Sequence, residues 1–218
     1  MKKLLFISIL SFLTFGASAQ IKLGLKLSPN LSWNRVDDPS DTLENKGVAL
    51  RSGGGVFMDF EFSDNYAFHT GITYTTKGAG LKSDIIDSLD NKVSLQYLEI
   101  PVAIKLFTNE IGTDMRMYFN VGTSINMNLA AKVDGDKSYQ DENGDAVEYT
   151  KHFNGLDFSA IIGTGIEMQM GGETWVFGGI SYNRGLLNIS KKKNTLNGMS
   201  KDVQMYNEYL SVDLGLKF

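Results

Sequence analysis

The chain has 218 residues and a formal net charge of −4, from 21 basic and 25 acidic side chains, and it contains no cysteine. The acidic balance argues against nucleic acid as a partner, and the lack of cysteine excludes disulfides and a lipid-modified N-terminal cysteine. Beyond residue 19 there is no apolar run of the ~20 residues that a membrane-spanning helix needs. A helical membrane protein is thereby excluded, whereas a barrel is not, because half of each barrel strand is polar.

Residues 1–19 have the pattern of a secretory signal peptide. Two lysines precede an apolar run over residues 4–15, and Ala17-Ser18-Ala19 is the small-x-small sequence that signal peptidase cleaves. The apolar run is too short to cross a bilayer as a helix. We therefore predict a signal peptide over 1–19, export by the general route, and one mature domain over 20–218.

From residue 21 onward, apolar and polar residues alternate with the period of two that is typical of β-strands. In the strand over 175–187 the facing stays open, because Trp175 and Phe177 compete with Val176, Ile180 and Tyr182 for the apolar side. The predicted strands are residues 21–27, 55–62, 67–74, 97–106, 115–128, 156–170, 175–187 and 206–218.

The connections between these strands are alternately long and short. The long polar ones are residues 34–51, 77–92, 132–154 and 190–202, and the short ones are 63–65, 109–114 and 171–173. Outer-membrane barrels have short periplasmic turns, long external loops and an even number of strands. The sequence therefore predicts an all-β fold, an eight-stranded antiparallel up-and-down transmembrane β-barrel in the cell outer membrane.

A soluble barrel of the lipocalin kind would show the same alternation, so the composition of the polar face has to discriminate. That face is rich in Gly, Ser, Asn and Tyr, which suits a narrow interior filled by side chains, and the apolar face would then meet outer-membrane lipid. The charges on the polar face are isolated ones such as Glu99, Lys105, Arg116, Glu167 and Asp213. The candidates for the aromatic girdle at the interfaces are Phe62, Tyr66, Tyr74, Trp175 and Phe218.

The candidates for chemistry have simpler structural explanations, and we predict no catalytic, cofactor-binding or metal site. His69 lies in a strand and His152 at the edge of a loop, and no nucleophile with an orienting carboxylate accompanies either. The acidic loop 134–145 offers oxygen donors for calcium but lacks EF-hand spacing, so calcium binding stays open. Gly53-Gly54-Gly55 and Gly163-x-Gly165 fit no nucleotide motif and are interpreted as steric relief. The lumenal charges are expected to form internal salt bridges rather than a solute path.

Four sequence motifs carry a resemblance to a known family. They are Y-L-E-I-P-V-A-I-K-L at 97–106, G-x-x-Y-x-x-K-G at 71–78, G-T-G-I-E at 163–167 and the terminal L-G-L-K-F. The chain resembles the PorT-like outer-membrane β-barrel proteins of Bacteroidetes. The resemblance implies an eight-stranded barrel inserted by the outer-membrane assembly machinery, and the likeness of the last strand to outer-membrane proteins implies that Phe218 is part of the assembly signal.

Two classes of function remain open on the sequence. One is a non-enzymatic barrel with a structural role, or with external loops, above all 132–154, that bind a partner protein, glycan or surface. The other is an accessory component of a secretion or envelope-assembly complex, which the resemblance allows because the founding PorT member is linked to gliding-associated secretion. A lipid-modifying barrel enzyme is the least favoured alternative.

Overall fold

A computed structural model of the chain describes residues 20–37, 43–45, 47–83, 90–140, 144–191 and 204–218. These residues form twelve β-strands and one 3₁₀ turn, Tyr149–His152. Within them no helix has the length and apolar character needed to cross a bilayer. The strands are β1 Gln20–Asp37, β2 Leu43–Asn45, β3 Ala49–Ser63, β4 Tyr66–Lys77, β5 Gly80–Ser83, β6 Asp90–Gly112, β7 Met115–Val133, β8 Ser138–Gln140, β9 Ala146–Glu148, β10 Leu156–Gly171, β11 Thr174–Gly185 and β12 Gln204–Lys217.

Eight of the described strands close into one antiparallel ring. Its order is β1, β3, β4, β6, β7, β10, β11 and β12, and β12 pairs back with β1. The seam runs from Gly24 opposite Lys217 to Asp37 opposite Gln204, and Leu23 and Phe218 exchange two backbone hydrogen bonds of 2.8 Å beyond it. The predicted eight-stranded antiparallel barrel is confirmed, and the ring leaves no unpaired edge.

The ring has two different ends. At the tight-turn end, β3–β4, β6–β7 and β10–β11 are joined by two-residue turns, and Gln20 and Phe218 lie at this end as well. At the long-loop end, β5 adds a short strand to β6 and β2 adds one to β5, while β8 and β9 form a separate hairpin. The predicted alternation of short and long connections is therefore confirmed.

The barrel is polar inside and apolar outside, as its alternating strands predict. Large apolar side chains are half exposed on the outer surface, among them Leu23, Leu25, Ile72, Val121, Ile162 and Leu214. The alternate positions are buried in the lumen and include Asn30, Asp59, Thr73, Glu99, Lys105, Asn126, Glu167 and Asp213. An apolar surface of this size is unfavourable in water and becomes favourable when an apolar medium covers it.

Several strands extend beyond the predicted bounds, above all β1, which runs to Asp37 rather than ending at residue 27, and β3, which begins at Ala49 rather than at residue 55. The strand predicted over 97–106 begins at Asp90 and ends at Gly112, so parts of the predicted loops 77–92 and 109–114 are strand. Likewise the predicted loop 132–154 contains the β8–β9 hairpin, and Val133 still belongs to β7. In each case the polar sequence predicted a loop. Strands can nevertheless continue beyond the membrane, where both of their faces are in water and neither has to be apolar.

Strand β11, whose facing the sequence left open, turns Trp175 and Phe177 inward. Phe177 is 7% exposed, whereas Ile180 is 52% exposed on the outer surface. The Trp175 ring packs against lumenal cations, so its assignment to the interface girdle is wrong. The other girdle candidates face outward, with Phe62 stacked on Tyr66 at 6.2 Å.

Candidate functional site

The lumen near the tight-turn end is filled by one network of charged side chains, here called the lower charge cluster. Its carboxylates come from β3 and β10 and its cations from β1, β6, β7 and β12. Every member is on the inward face of its strand, and most are almost completely buried. The cluster consists of Lys22, Asp59, Glu61, Lys105, Arg116, Glu167 and Lys217.

Glu167 is the centre of this cluster. Its side chain is fully buried and contacts Lys217 Nζ at 2.9 Å, Lys105 Nζ at 3.1 Å and Arg116 Nε at 2.7 Å. Asp59 also binds Lys105 and Lys217, at 3.2 and 3.4 Å. Buried charges are tolerated only when each has partners of opposite sign, and here the partners come from strands one or two places away around the ring.

Aromatic rings cover the cations of the cluster. The guanidinium of Arg116 lies 3.7 Å from the centre of the Phe107 ring and 4.8 Å from that of Trp175. Lys105 Nζ lies 4.2 Å from the Tyr118 ring centre. Cation–π contacts of this kind add to the ion pairs when the groups are desolvated. The aromatic rings therefore fill the space around the charged groups of the lower charge cluster.

His69 joins the cluster through Asp59. Its Nδ1 lies 2.6 Å from Asp59 Oδ1, and its ring packs 5.3 Å from the ring of Phe57. A histidine with an orienting carboxylate is two-thirds of a catalytic triad, but the third member, a nucleophile, does not contact His69 among the described hydrogen bonds. His69 is therefore a packed lumenal residue, with its side chain 13% exposed.

A second set of polar contacts lies higher in the lumen, around Glu99. This carboxylate forms an ion pair with Lys77 at 2.5 Å and accepts hydrogen bonds from Thr75 at 3.0 Å and Tyr209 at 2.9 Å. Asp213 accepts hydrogen bonds from two serine hydroxyls, at 2.6 Å in the case of Ser28. The expected internal salt bridging is thus observed, but the charges described as isolated in sequence form connected networks.

An apolar cluster lies across the lumen at the long-loop end. Phe153 and Ile189, from the two loops that flank β10–β11, pack there against inward side chains of β6, and Ile189 is fully buried. The cluster consists of Val93, Leu95, Tyr97, Ala131, Val133, Phe153, Ile189 and Met205. Between it and the lower charge cluster lies a small cavity lined by groups such as Thr73, Glu99, Asn120 and Tyr118.

Two of the sequence-identified glycines lie where strands approach most closely. A Cβ at Gly55 would lie 2.1 Å from the carbonyl oxygen of Ile72, and one at Gly165 would lie 2.5 Å from the hydroxyl of Tyr118. Neither distance can accommodate a side chain, and the first involves backbone. The interpretation of these glycines as steric relief is confirmed.

At the long-loop end, the β8–β9 hairpin and the 3₁₀ turn Tyr149–His152 that follows it carry an aromatic group. The rings of Tyr139 and Tyr149 are 5.2 Å apart, and the Tyr139 hydroxyl lies 3.1 Å from His152 Nε2. Thr150 ties this group to the barrel, since its hydroxyl accepts a hydrogen bond of 3.0 Å from the backbone of Ala131 on β7. Partial burial and the carboxylates of nearby aspartates raise the pKa of Tyr149, so its phenol is neutral at physiological pH.

The calcium hypothesis for loop 134–145 finds no support in the described part of that loop. Asp134 accepts a hydrogen bond of 2.8 Å from the Lys92 backbone. No group of three or more acidic, histidine or cysteine side chains that could hold a metal ion occurs among the described residues. Asp141 and Asn143 lie outside them, so calcium binding stays untested.

A closed antiparallel ring with a charged lumen, an apolar outer belt, short turns at one end and long loops at the other defines a transmembrane β-barrel of the outer-membrane type. The family model described as outer membrane protein beta-barrel domain matches residues 16–191. The chain belongs to this family and is located in the cell outer membrane. No curated protein sequence matches the chain.

Two solved structures with TM-scores of 0.50 agree on the fold. Outer membrane protein OprG from Pseudomonas aeruginosa is 10% identical with a TM-score of 0.50, over 90% of this chain and 95% of OprG. Outer membrane protease OmpT from Escherichia coli is 11% identical with a TM-score of 0.50, over 92% of this chain and 96% of OmpT. Neisserial surface protein A is 14% identical with a TM-score of 0.49, over 92% and 99%. At these identities the likeness concerns the fold alone.

Proposed function

We propose that this protein is a non-enzymatic outer-membrane barrel that binds an external ligand through its long-loop end, with the β8–β9 hairpin as the contact element. The observation that carries the proposal is the filled lumen. Ion pairs occupy its tight-turn end and an apolar cluster its long-loop end, so a solute path would require both to be dismantled. A ligand would therefore bind at an outer surface of the protein rather than in the lumen. In such barrels the long loops face the outside of the cell.

The aromatic group formed by the hairpin and the 3₁₀ turn after it supports this choice of surface. Tyr139, Tyr149 and His152 are each partly exposed and held by mutual contacts. Tyrosine provides a large, stiff contact area with a polar tip, which suits sugar rings and protein surfaces alike. Such a platform, fixed to β7 through Thr150, is ordered before a ligand arrives and loses little entropy on binding.

The test uses the purified full-length barrel in lipid nanodiscs over an array of glycans and extracellular proteins. We expect the native barrel to retain at least one arrayed molecule and the double variant Tyr139→Ala/Tyr149→Ala to lose it. Phe62→Ala/Tyr66→Ala, an aromatic pair at the opposite end, is the matched control and should bind normally. Retention of nothing by the native barrel, or equal retention by the hairpin variant, would refute the proposal.

The second candidate is accessory service to a secretion or envelope-assembly complex, and its support is the sequence resemblance to PorT-like barrels. Deletion of the gene separates the two candidates, because loss of secreted cargo supports accessory service, whereas loss of adhesion alone supports ligand binding. Under either function we propose removal of residues 1–19 on export and insertion by the assembly machinery through the last strand. Mass spectrometry of the protein from outer membranes should show Gln20 as its N-terminus.

A further inference from the structure

A compact polar group lies on the outer, lipid-facing surface of the barrel, close to the long-loop end. It spans three neighbouring strands, with Glu208 on β12 directly opposite Trp33 on β1 and Arg184 on β11. Its members alternate with lumenal asparagines such as Asn207, so they face away from the lumen. We call this group the rim cluster; it consists of Trp33, Arg35, Tyr182, Arg184, Tyr206 and Glu208.

The depth of the rim cluster follows from the strand geometry. Ile21 and Leu31 are 56% and 46% exposed and mark the two ends of the apolar stripe along β1. Ten residues of strand cover ~33 Å, or about 25 Å along the membrane normal at a ~40° tilt, which is the height of the apolar band of such barrels. Trp33 and Arg35 follow directly beyond Leu31. The rim cluster therefore lies at the level of the outer headgroups.

Glu208 organises the rim cluster. Trp33 Nε1 donates a hydrogen bond of 3.2 Å and the Tyr182 hydroxyl one of 2.9 Å to its Oε2. Arg35 forms an ion pair with its Oε1, and Arg184 Nε lies 3.8 Å from the same oxygen. The Glu208 side chain is only 9% exposed, so the carboxylate is enclosed by its donors.

The two arginines provide more positive charge and more N–H donors than the single carboxylate of Glu208 can neutralise and accept. Their side chains are 37% and 58% exposed for Arg35 and Arg184, and the described contacts of each guanidinium use few of its five N–H donors. Arg35 lies over the ring of Tyr206 at 4.4 Å, which fixes its plane. The pair thus presents one net positive charge and a surplus of fixed donors toward the headgroup layer.

We propose that the rim cluster binds the phosphate of a headgroup of an outer-leaflet lipid. Guanidinium forks match phosphate oxygens in bidentate geometry, and arginine near a membrane surface is attracted to anionic lipid. The stacked Trp33–Tyr182 pair, with ring centres 6.2 Å apart, lies beside the arginines at the level where aromatic side chains contact headgroups and upper acyl chains. Glu208 acts as the positioning residue that holds the two guanidiniums side by side.

The test is native mass spectrometry of the detergent-solubilised barrel titrated with bisphosphorylated lipid A and with its dephosphorylated counterpart. We expect Arg184→Gln to weaken binding of the phosphorylated lipid about fivefold, and Arg35→Gln/Arg184→Gln/Glu208→Gln to weaken it at least as much, because the triple variant has neither guanidinium. The triple variant includes Glu208 so that no enclosed carboxylate is left unpaired. The control Lys137→Gln/Lys151→Gln removes two exposed loop cations and should leave the affinity unchanged.

Three outcomes would overturn the proposal. They are equal affinity of the native barrel for the two lipids, unchanged affinity in Arg184→Gln, and complete displacement of the lipid by equimolar inorganic phosphate, which would show that no lipid is recognised. Heat-shifted migration in detergent gels verifies that each variant is folded. Should the triple variant fail to fold, the single variant at the 58% exposed Arg184 decides the question.

Discussion

Neutralising Glu167 should destabilise the barrel strongly while leaving its shape intact. The substitution Glu167→Gln keeps the size of the side chain but removes the one carboxylate shared by Lys105, Arg116 and Lys217. Loss of one partner from a fully buried ion pair costs about 3–5 kcal/mol, because the remaining charges stay desolvated without compensation. In the lower charge cluster the loss leaves two carboxylates for four cations.

The assay is reversible urea unfolding in lipid vesicles, followed by tryptophan fluorescence, since Trp175 lies against the cluster. With a urea dependence of ~2 kcal/mol per molar, the midpoint should fall by about 2 M. Glu173→Gln, in the exposed turn after β10, is the matched control and should change stability by less than ~0.5 kcal/mol. A Glu167→Gln midpoint within the error of the control would refute the reasoning and show that water screens the lumenal charges.

Further expectations concern the two faces of the barrel and its close strand contacts. Bromine-labelled lipids should quench Trp33 but not Trp175 in single-tryptophan variants, because only Trp33 faces outward; equal quenching would contradict the inward facing of β11. Leu25→Lys should destabilise the barrel by about 2–4 kcal/mol in vesicle unfolding, since Leu25 is exposed near mid-membrane. Gly55→Ala should prevent the heat-shifted migration of the folded barrel, whereas Gly155→Ala, with open space around its Cβ, should migrate normally.

The barrel itself could be predicted from sequence because one pattern specifies both of its surfaces. Alternation over a strand such as 206–218 assigns each side chain to a face, and Asp213, Lys105 and Glu167 lie in the lumen as predicted for the polar face. Alternation fails where both faces hold aromatics, which is why β11 stayed ambiguous. There the lumenal cations decide, since Trp175 covers Lys22 and Arg116.

The lower charge cluster was less accessible to sequence reasoning, because its members are far apart in the chain. Lys105 and Glu167 are 62 residues apart, yet their side chains meet at 3.1 Å. The number of residues between each charge and the nearest tight turn indicates how far into the lumen that charge lies. Glu61 lies three positions before the turn at 64–65, and Arg116 lies two positions after the turn at 113–114. Aligning the strands on their tight turns would have placed these charges at one level of the lumen.

The rim cluster could not be derived in this way, because it breaks the alternation that identifies the strands. Arg35, Arg184 and Glu208 lie on the outer face, where the pattern elsewhere places apolar residues. A charge on that face destabilises the barrel at mid-membrane but has almost no cost at the interface. The depth of the charge therefore determines whether it is compatible with a lipid-facing position. The depth of these residues in the membrane is obtained from the number of residues along β1 between them and the tight-turn end. For Glu208 on β12 this also requires the register of β1 and β12, which the sequence does not provide.

The filled lumen determines where this barrel can act. The ion pairs around Glu167 stabilise the ring only as long as water stays out, and conduction would require the water that weakens them. Under the proposed function, a barrel stabilised in this way has a rigid frame and carries no solute through its interior. Its remaining contacts with the surroundings are radial, through the lipid-facing surface and the rim cluster, and axial, through the long loops. Substitutions at Arg184 and at Tyr139 therefore test the two proposals independently, and neither should alter the unfolding midpoint that Glu167 controls.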